Sequence, residues 1–188
     1  MATILGLDIS SATIGAALIE PNDDGFKLKY HEYFKPPKKV SLFESLYETR
    51  QWIIEKMLAW APSEVVMEDI AKHFTSAGGM GKSSAATMIK LAVYNRTVGL
   101  AVYENLNRDP HLINVHTVRS IVKPGGYKGR LSKDDVPEAV AAILKIDFPY
   151  KLKKTGKIAE ESYDVADAIA VALAFGALEK AKKADIQE

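Results

Sequence analysis

Cysteine is absent from the 188 residues. That excludes a disulfide scaffold, a thiolate metal site and a cysteine nucleophile, and it fits a reducing compartment. No run of about 18 uninterrupted apolar residues exists, so no membrane span is expected. The opening MATILGLDISSATIG has no basic n-region, and an Asp breaks its apolar run; it does not read as a secretory signal. A cytoplasmic setting is expected. A charge excess is missing too. The formal net charge is +1, which by itself argues neither for nor against nucleic acid. No internal repeat and no low-complexity segment is present.

What is there suits a folded domain. The chain is 47% hydrophobic, enough for a sizeable core. Residues 1–180 are read as one domain and 181–188 as a charged, frayed tail. The basic residues are not evenly spread. Arg119, Lys123, Lys128, Arg130 and Lys133 lie in one stretch with no acid among them before Lys133, and Lys151, Lys153, Lys154 and Lys157 in another. Such patches in a neutral protein suit a phosphate-binding face, although any one run alone can be a solvated loop.

The pattern along the chain is strands first, then helices and strands in turn. Thr3–Ile9 is a short apolar strand. Ser11–Glu20 follows, then a turn over Pro21-Asn22-Asp23-Asp24-Gly25, then an alternating strand from Phe26 to Lys35. Ser41 and Glu44 form a capping box for a helix whose buried face is Leu42, Leu46, Ile53, Met57 and Trp60. Glu64–Met67 is a buried strand, Lys72–Ser83 a Gly-rich loop, Ser84–Glu104 a long helix and His111–His116 a short strand. A basic loop, a helix from Ser132 to Lys145, a Pro149 linker and a last helix from Glu160 complete the order. This predicts a mixed α/β fold with a five-stranded sheet: three antiparallel strands, then two parallel to the first, flanked by helices.

Acids stand in odd places on that frame. The run YDVADAIAVALA, Tyr163–Ala174, is almost wholly apolar, without Gly or Pro, yet holds Asp164 and Asp167. At i and i+3 they share one helix face and repel. Asp is also a poor residue inside a helix, because its side chain competes for backbone donors. The plain alternative is a solvated first turn, as for Glu160 and Glu161. Asp8 sits in the apolar strand ILGLDIS, and Glu68 ends the strand EVVME. If the first and fourth strands are adjacent and parallel, Asp8 and Glu68 emerge at one edge. A helix packed on the sheet can bring Asp164 and Asp167 there. Buried charge is costly unless paired or metal-bound. Four converging carboxylates suit Mg²⁺, and two such ions give a two-metal phosphoryl-transfer arrangement.

At this point ILGLDISSATIGAALIE, VVMED and SYDVADAIAVALA resemble the three acidic motifs of RuvC-type Holliday junction resolvases, within the RNase H-like nucleases, possible phage or viral members included. The resemblance runs in order from Thr3 to about Leu178, and the D-x-x-D-A helix is its most specific part. It implies an RNase H-like fold and a homodimer that nicks four-way DNA junctions in symmetric pairs. It also implies two Mg²⁺ ions per site, with Mn²⁺ substituting. Asp8, Glu68, Asp164 and Asp167 match the catalytic and metal-binding acids. Lys133, in LSKDDV, matches a basic residue beside the active site, and Arg119 a second. DNA contacts are expected from Arg119, Lys123, Lys128, Arg130 and Lys133, with Lys82 on a phosphate. Where the family carries a junction wedge this chain has Ala71; Phe74 or Met80 could replace it. The turn after Asp8 also departs from the family, reading DISS in place of DPG.

Other readings are weaker. SAGGMGKSS resembles a phosphate-binding loop, but Ser76 stands where its first Gly belongs and the loop does not follow its strand directly. An actin-like ATPase needs two related domains. A non-catalytic DNA-binding module has no need of four acids. Another RNase H-like nuclease, acting on branched phage DNA or RNA, stays open. His31, His73, His111 and His116 show no metal-binding spacing, and Trp52 and Trp60 read as packing groups. The helix Ser84–Glu104 carries two opposed apolar stripes: Met88, Leu91, Val98 and Val102, then Ile89, Val93, Leu100 and Tyr103. The second is expected to meet a second copy of the chain.

Overall fold

The computed structural model of the chain describes residues 2–70, 85–129, 131–148 and 150–185. Its elements are β1 (Ile4–Ile9), β2 (Ile14–Asn22), β3 (Gly25–Phe34), α1 (Leu42–Trp60), β4 (Glu64–Glu68), α2 (Ala85–Leu106), β5 (His111–Ile113), α3 (Val115–Ile121), α4 (Val136–Leu144) and α5 (Glu160–Asp185). The five strands form one sheet in the order β3-β2-β1-β4-β5. β1–β2 and β2–β3 are antiparallel; β1–β4 and β4–β5 are parallel. The expected fold class holds in strand number, order and direction.

Two helical layers cover the sheet, and the period of two along β1 assigns its residues to them. Leu5, Leu7 and Ile9 join Ile53, Met57, Tyr94, Val98 and Val102 on the α1/α2 side. Ile4 joins α5, α3 and α4 on the other side. Gly6 and Asp8 share the face of Ile4. At Gly6 an added Cβ would lie 2.1 Å from the carbonyl oxygen of Ala168, so only glycine lets α5 settle on β1. Alanines 166, 168, 170, 172 and 174 of α5 are buried, and their small side chains permit that approach.

Ser41 caps α1 as expected, its hydroxyl accepting from the Glu44 amide. Leu46, Ile53 and Met57 are buried, but Leu42 is exposed in the first turn and Trp60 half-buried, stacked on Tyr30. Three differences lie after β4. β5 has three residues, not six, because Asn114 caps a new helix, α3, its side chain accepting from the His116 amide. The basic stretch therefore starts on a helix rather than in a loop. α4 begins at Val136 rather than Ser132, because the Asp135 carboxylate binds back to the Ser132 amide and hydroxyl and holds 132–135 as a turn. α5 runs through Asp185, into the stretch read as a frayed tail.

On α2, Val98 and Val102 are buried, whereas Ile89, Leu100 and Tyr103 are exposed and Val93 is half-buried. Among the described residues no helix is long and apolar enough to cross a membrane.

Candidate active site

The register of β1 brings the acids together. Asp8 pairs with Gly15 of β2, and a Cβ at Gly15 would sit 2.1 Å from the backbone oxygen of Asp164. Glycine opposite the strand aspartate thus lets the helix backbone descend onto the sheet at the residue carrying the next carboxylate. One turn further, Asp167 comes to the same place. Carboxylate oxygens of Asp8, Asp164 and Asp167 lie within 4.8 Å of one another, and all three residues are half-buried. Glu68 stands outside this tight group but beside it. The β1–β4 ladder ends at Leu7–Met67, so Asp8 and Glu68 are the next residue on each strand. The Glu68 carbonyl accepts from the Asn95 side chain, 3.2 Å away, which ties the strand end to α2.

Lys133 reaches this cluster from the turn before α4. Its ammonium donates to Asp164 at 3.1 Å and lies 3.4 Å from Asp167. The turn that carries it is braced: the Asp135 carboxylate accepts from Ser132 and from the Tyr127 hydroxyl at 2.7 Å. Arg119, on α3, acts electrostatically on Glu68 and Asp167; among the described residues its buried Nε has no hydrogen-bond partner. A cavity of about 370 Å³ opens beside it, lined by His116, Arg119, Ser120, Lys123, Gly129 and Leu131. Within it, Lys123 donates to the Gly129 carbonyl at 2.6 Å. Lys128 is exposed on the same loop. Lys82, Phe74, Met80, Ala71, Arg130 and the Gly-rich segment lie outside the described residues.

The electrostatics of the cluster are unbalanced. Among the described residues four carboxylates, Asp8, Glu68, Asp164 and Asp167, face two cations, Lys133 and Arg119. Burial, then the charges of Asp167, Glu68 and Asp164, push the Asp8 carboxyl well above its ordinary value. Burial and Asp167 raise Glu68 to about 7, against the pull of Arg119 and Lys133. Burial also raises Asp167, although Lys133 and Arg119 oppose it. For Lys133, burial disfavours the ammonium, but Asp167, Asp164 and Asp8 outweigh it and hold it above the usual lysine range. Clustered carboxylates that outnumber the cations beside them among the described residues are matched by a divalent cation. The donors are all oxygen, as hard ions require.

Four residues of the cleft, Ser10, Ala12, Thr13 and Tyr163, carried no signal in the acid pattern. With Asp8, Lys133, Glu160 and Asp164 they line a depression of about 280 Å³. Ser10 builds the turn after Asp8: its hydroxyl donates to the Thr13 carbonyl at 2.7 Å and accepts from the Ala12 and Thr13 amides. That is the use of the DISS departure. Asp69, next after Glu68, adds a charge that raises Glu68, and its amide donates to the Ile113 carbonyl.

No family model matches the chain. In sequence it is similar to the crossover junction endodeoxyribonuclease RuvC of Dehalococcoides mccartyi, at 26% identity over 173 residues, 90% of this chain and 89% of the relative. In structure it is similar to T. thermophilus RuvC in complex with a Holliday junction substrate, with a TM-score of 0.71 at 15% identity over 96% of each chain. It is also similar to the yeast mitochondrial Holliday junction resolvase Ydc2, with a TM-score of 0.62 at 14% identity, over 92% of this chain and 77% of that one. The fold is the RNase H-like fold of RuvC.

Proposed function

We infer that this chain is a RuvC-type crossover junction endodeoxyribonuclease, a metal-dependent enzyme that hydrolyses phosphodiester bonds in four-way DNA junctions. The observation that carries the reading is the meeting of Asp8, Asp164 and Asp167 within 4.8 Å, beside Glu68, on a fold shared with RuvC. The sequence relative is itself named a crossover junction endodeoxyribonuclease, and that activity is extended here to this chain.

Asp8, Asp164, Asp167 and Glu68 are the residues that would hold two Mg²⁺ or Mn²⁺ ions. Such ions supply Lewis-acid stabilisation of the phosphoryl oxygens and a bound water of lowered pKa. The protein supplies the rest. Positive charge favours the ionised form of Glu68, so occupancy of the site and deprotonation of Glu68 are linked. Lys133 already spans Asp164 and Asp167 and is placed to hold a phosphate oxygen entering the cleft. The positive charge of Arg119, which acts on Glu68 and Asp167, is a second attraction for the same backbone. Preformed donors of this kind stabilise charge that builds up in the transition state. Lys128 and Lys123 extend the cationic surface along the strand.

Symmetric paired nicks require two such sites, and the exposed Ile89, Leu100 and Tyr103 of α2 offer a face for a second copy. Replacing Leu100 and Tyr103 by Glu is expected to leave a monomer by light scattering.

The test of the activity is incubation with labelled four-way junction, fork and linear duplex in Mg²⁺, Mn²⁺ or EDTA. Metal-dependent nicking of the junction at symmetric positions is expected, with the duplex left intact. Failure to cut any branched DNA with either metal overturns the reading.

A further inference from the structure

The segment between α4 and α5, which reads as a linker, is a folded hairpin. The Ala159 amide donates to the Lys151 carbonyl at 2.7 Å, Lys153 to Lys157 at 2.7 Å and Gly156 to Lys153 at 2.9 Å, with a bridge between Leu152 and Ile158. Gly156 turns the tip with φ +77°. The base is fixed at three points. The Lys151 amide donates to the Ser162 hydroxyl, the Lys151 ammonium donates to the Tyr33 hydroxyl at 3.1 Å over the Tyr33 ring, and Lys153 pairs with Glu160 at 2.9 Å. Glu160 lines the cleft that holds Asp8 and Asp164, so the hairpin stands at its lip.

Only part of its charge is used locally. Residues 151–159 hold four lysines and no acid. Lys151 and Lys153 serve the base. Lys154 and Lys157, at the tip, are exposed and form no ion pair among the described residues. Topology gives this meaning. The hairpin is anchored on β3, at one edge of the sheet, while α3 with Arg119 follows β5, at the other edge. Asp8 and Glu68 lie between, on β1 and β4, with Asp164 and Asp167 brought to them by α5. A cleft of unmatched acids repels the phosphates of its own substrate, and cations on one flank only would hold one side of a duplex.

We propose that the hairpin Lys151–Ala159 is a second DNA-binding element, which grips the phosphate backbone of a duplex arm leaving the cleft on the β3 side, through Lys154 and Lys157. The proposal rests on the junction-nuclease reading and adds to it a contact surface apart from the acidic site. Because the hairpin is hydrogen-bonded and tethered to Tyr33 and Ser162, it presents these lysines without first being ordered. The contacts are to phosphate, so they add affinity and reach but no sequence preference.

The test is equilibrium binding of a fluorescent four-way junction in EDTA over a salt series, for the wild type, Lys154→Ala/Lys157→Ala and Lys154→Glu/Lys157→Glu. Circular dichroism melting checks the fold; Lys128→Ala serves as a comparison on the opposite flank. The double alanine variant should lower the magnitude of the slope of log K against log salt by about two, one per phosphate contact. The glutamate variant should weaken binding further. With arms cut short of the hairpin, wild type and variants should bind alike. An unchanged salt slope in a folded double variant, with wild-type binding intact, overturns the hairpin proposal alone. If the wild type binds no branched DNA, the nuclease reading falls and the proposal with it.

Discussion

Glu64 and Glu68 stand at the two ends of the five-residue strand β4 and face the same side of the sheet. Their surroundings are opposite. Glu64 is matched: Arg108 lies 3.0 Å from its carboxylate and the His111 ring 2.9 Å, and Arg108 also donates to the Ser63 carbonyl. Glu68 forms no ion pair among the described residues, lies beside Asp8, Asp167 and Asp69, and is raised to about 7 by burial and by Asp167. The same residue type on the same strand is thus a clasp at one end and an open valence at the other. Exposed ion pairs contribute little, about 0–1 kcal/mol, so the Glu64 end trims the sheet edge. The Glu68 end holds charge that Arg119 and Lys133 offset only in part and that a bound cation would relieve. Strain of that kind is kept where it is used.

The contrast is broken most severely at the acidic end. Asp8→Asn or Asp167→Asn should abolish junction cleavage, by on the order of a thousandfold or more in single-turnover rate, the scale lost when one key electrostatic group is removed. Binding of the junction in EDTA should hold or tighten, because repulsion of phosphates falls. Near-normal turnover in Asp8→Asn would refute its placement in the site. Lys133→Ala comes next. It should slow cleavage by about a hundredfold and lower the salt slope of binding by about one; normal rates would remove Lys133 from the chemistry.

A third effect is on stability and pH. Glu68 binds a proton in the folded state up to about pH 7, whereas the unfolded chain releases it near 4.5. Between those values the folded state carries more protons, so metal-free stability falls as pH rises through that window. Asp8 and Asp167, also raised, act in the same direction. Melting temperatures in EDTA should therefore decline from about pH 4.5 to 7, Glu68→Gln should flatten the decline, and Mg²⁺ should raise the melting point more at pH 8 than at pH 5. A melting point that climbs over this range in EDTA would contradict the charge imbalance. The smallest effect belongs to the matched end: Glu64→Gln should cost no more than about 1 kcal/mol in urea unfolding.

Much of this architecture is legible in the chain because its signals are local. The Ser41 cap, the alternation in β3 and the acids that interrupt apolar runs each mark an element or a site. The D-x-x-D spacing on α5 places two carboxylates on one face whatever packs against it. What stayed hidden depends on contacts between distant residues. Gly6 and Gly15 look like loose strand positions until α5 lies on them, although glycine inside a strand does signal a close backbone. Helix α3 is written in VHTVRSI, whose β-branched residues favour a strand; the Asn114 cap and the burial of Val118 and Val122 override that preference. The hairpin at 151–159 is masked by its lysines, which look like a solvated linker, and Leu42 sits on the apolar stripe of α1 but one turn beyond the cover.

The most direct measurement sets the two glutamates side by side: Mg²⁺-dependent cleavage of one labelled four-way junction by the wild type, Glu68→Gln and Glu64→Gln, with binding measured in EDTA on the same preparations. The account predicts that Glu68→Gln binds the junction and does not cut it, while Glu64→Gln cuts within about twofold of the wild type, since loss of an exposed pair is worth little. Equal cleavage by both variants, or loss in Glu64→Gln alone, would contradict it.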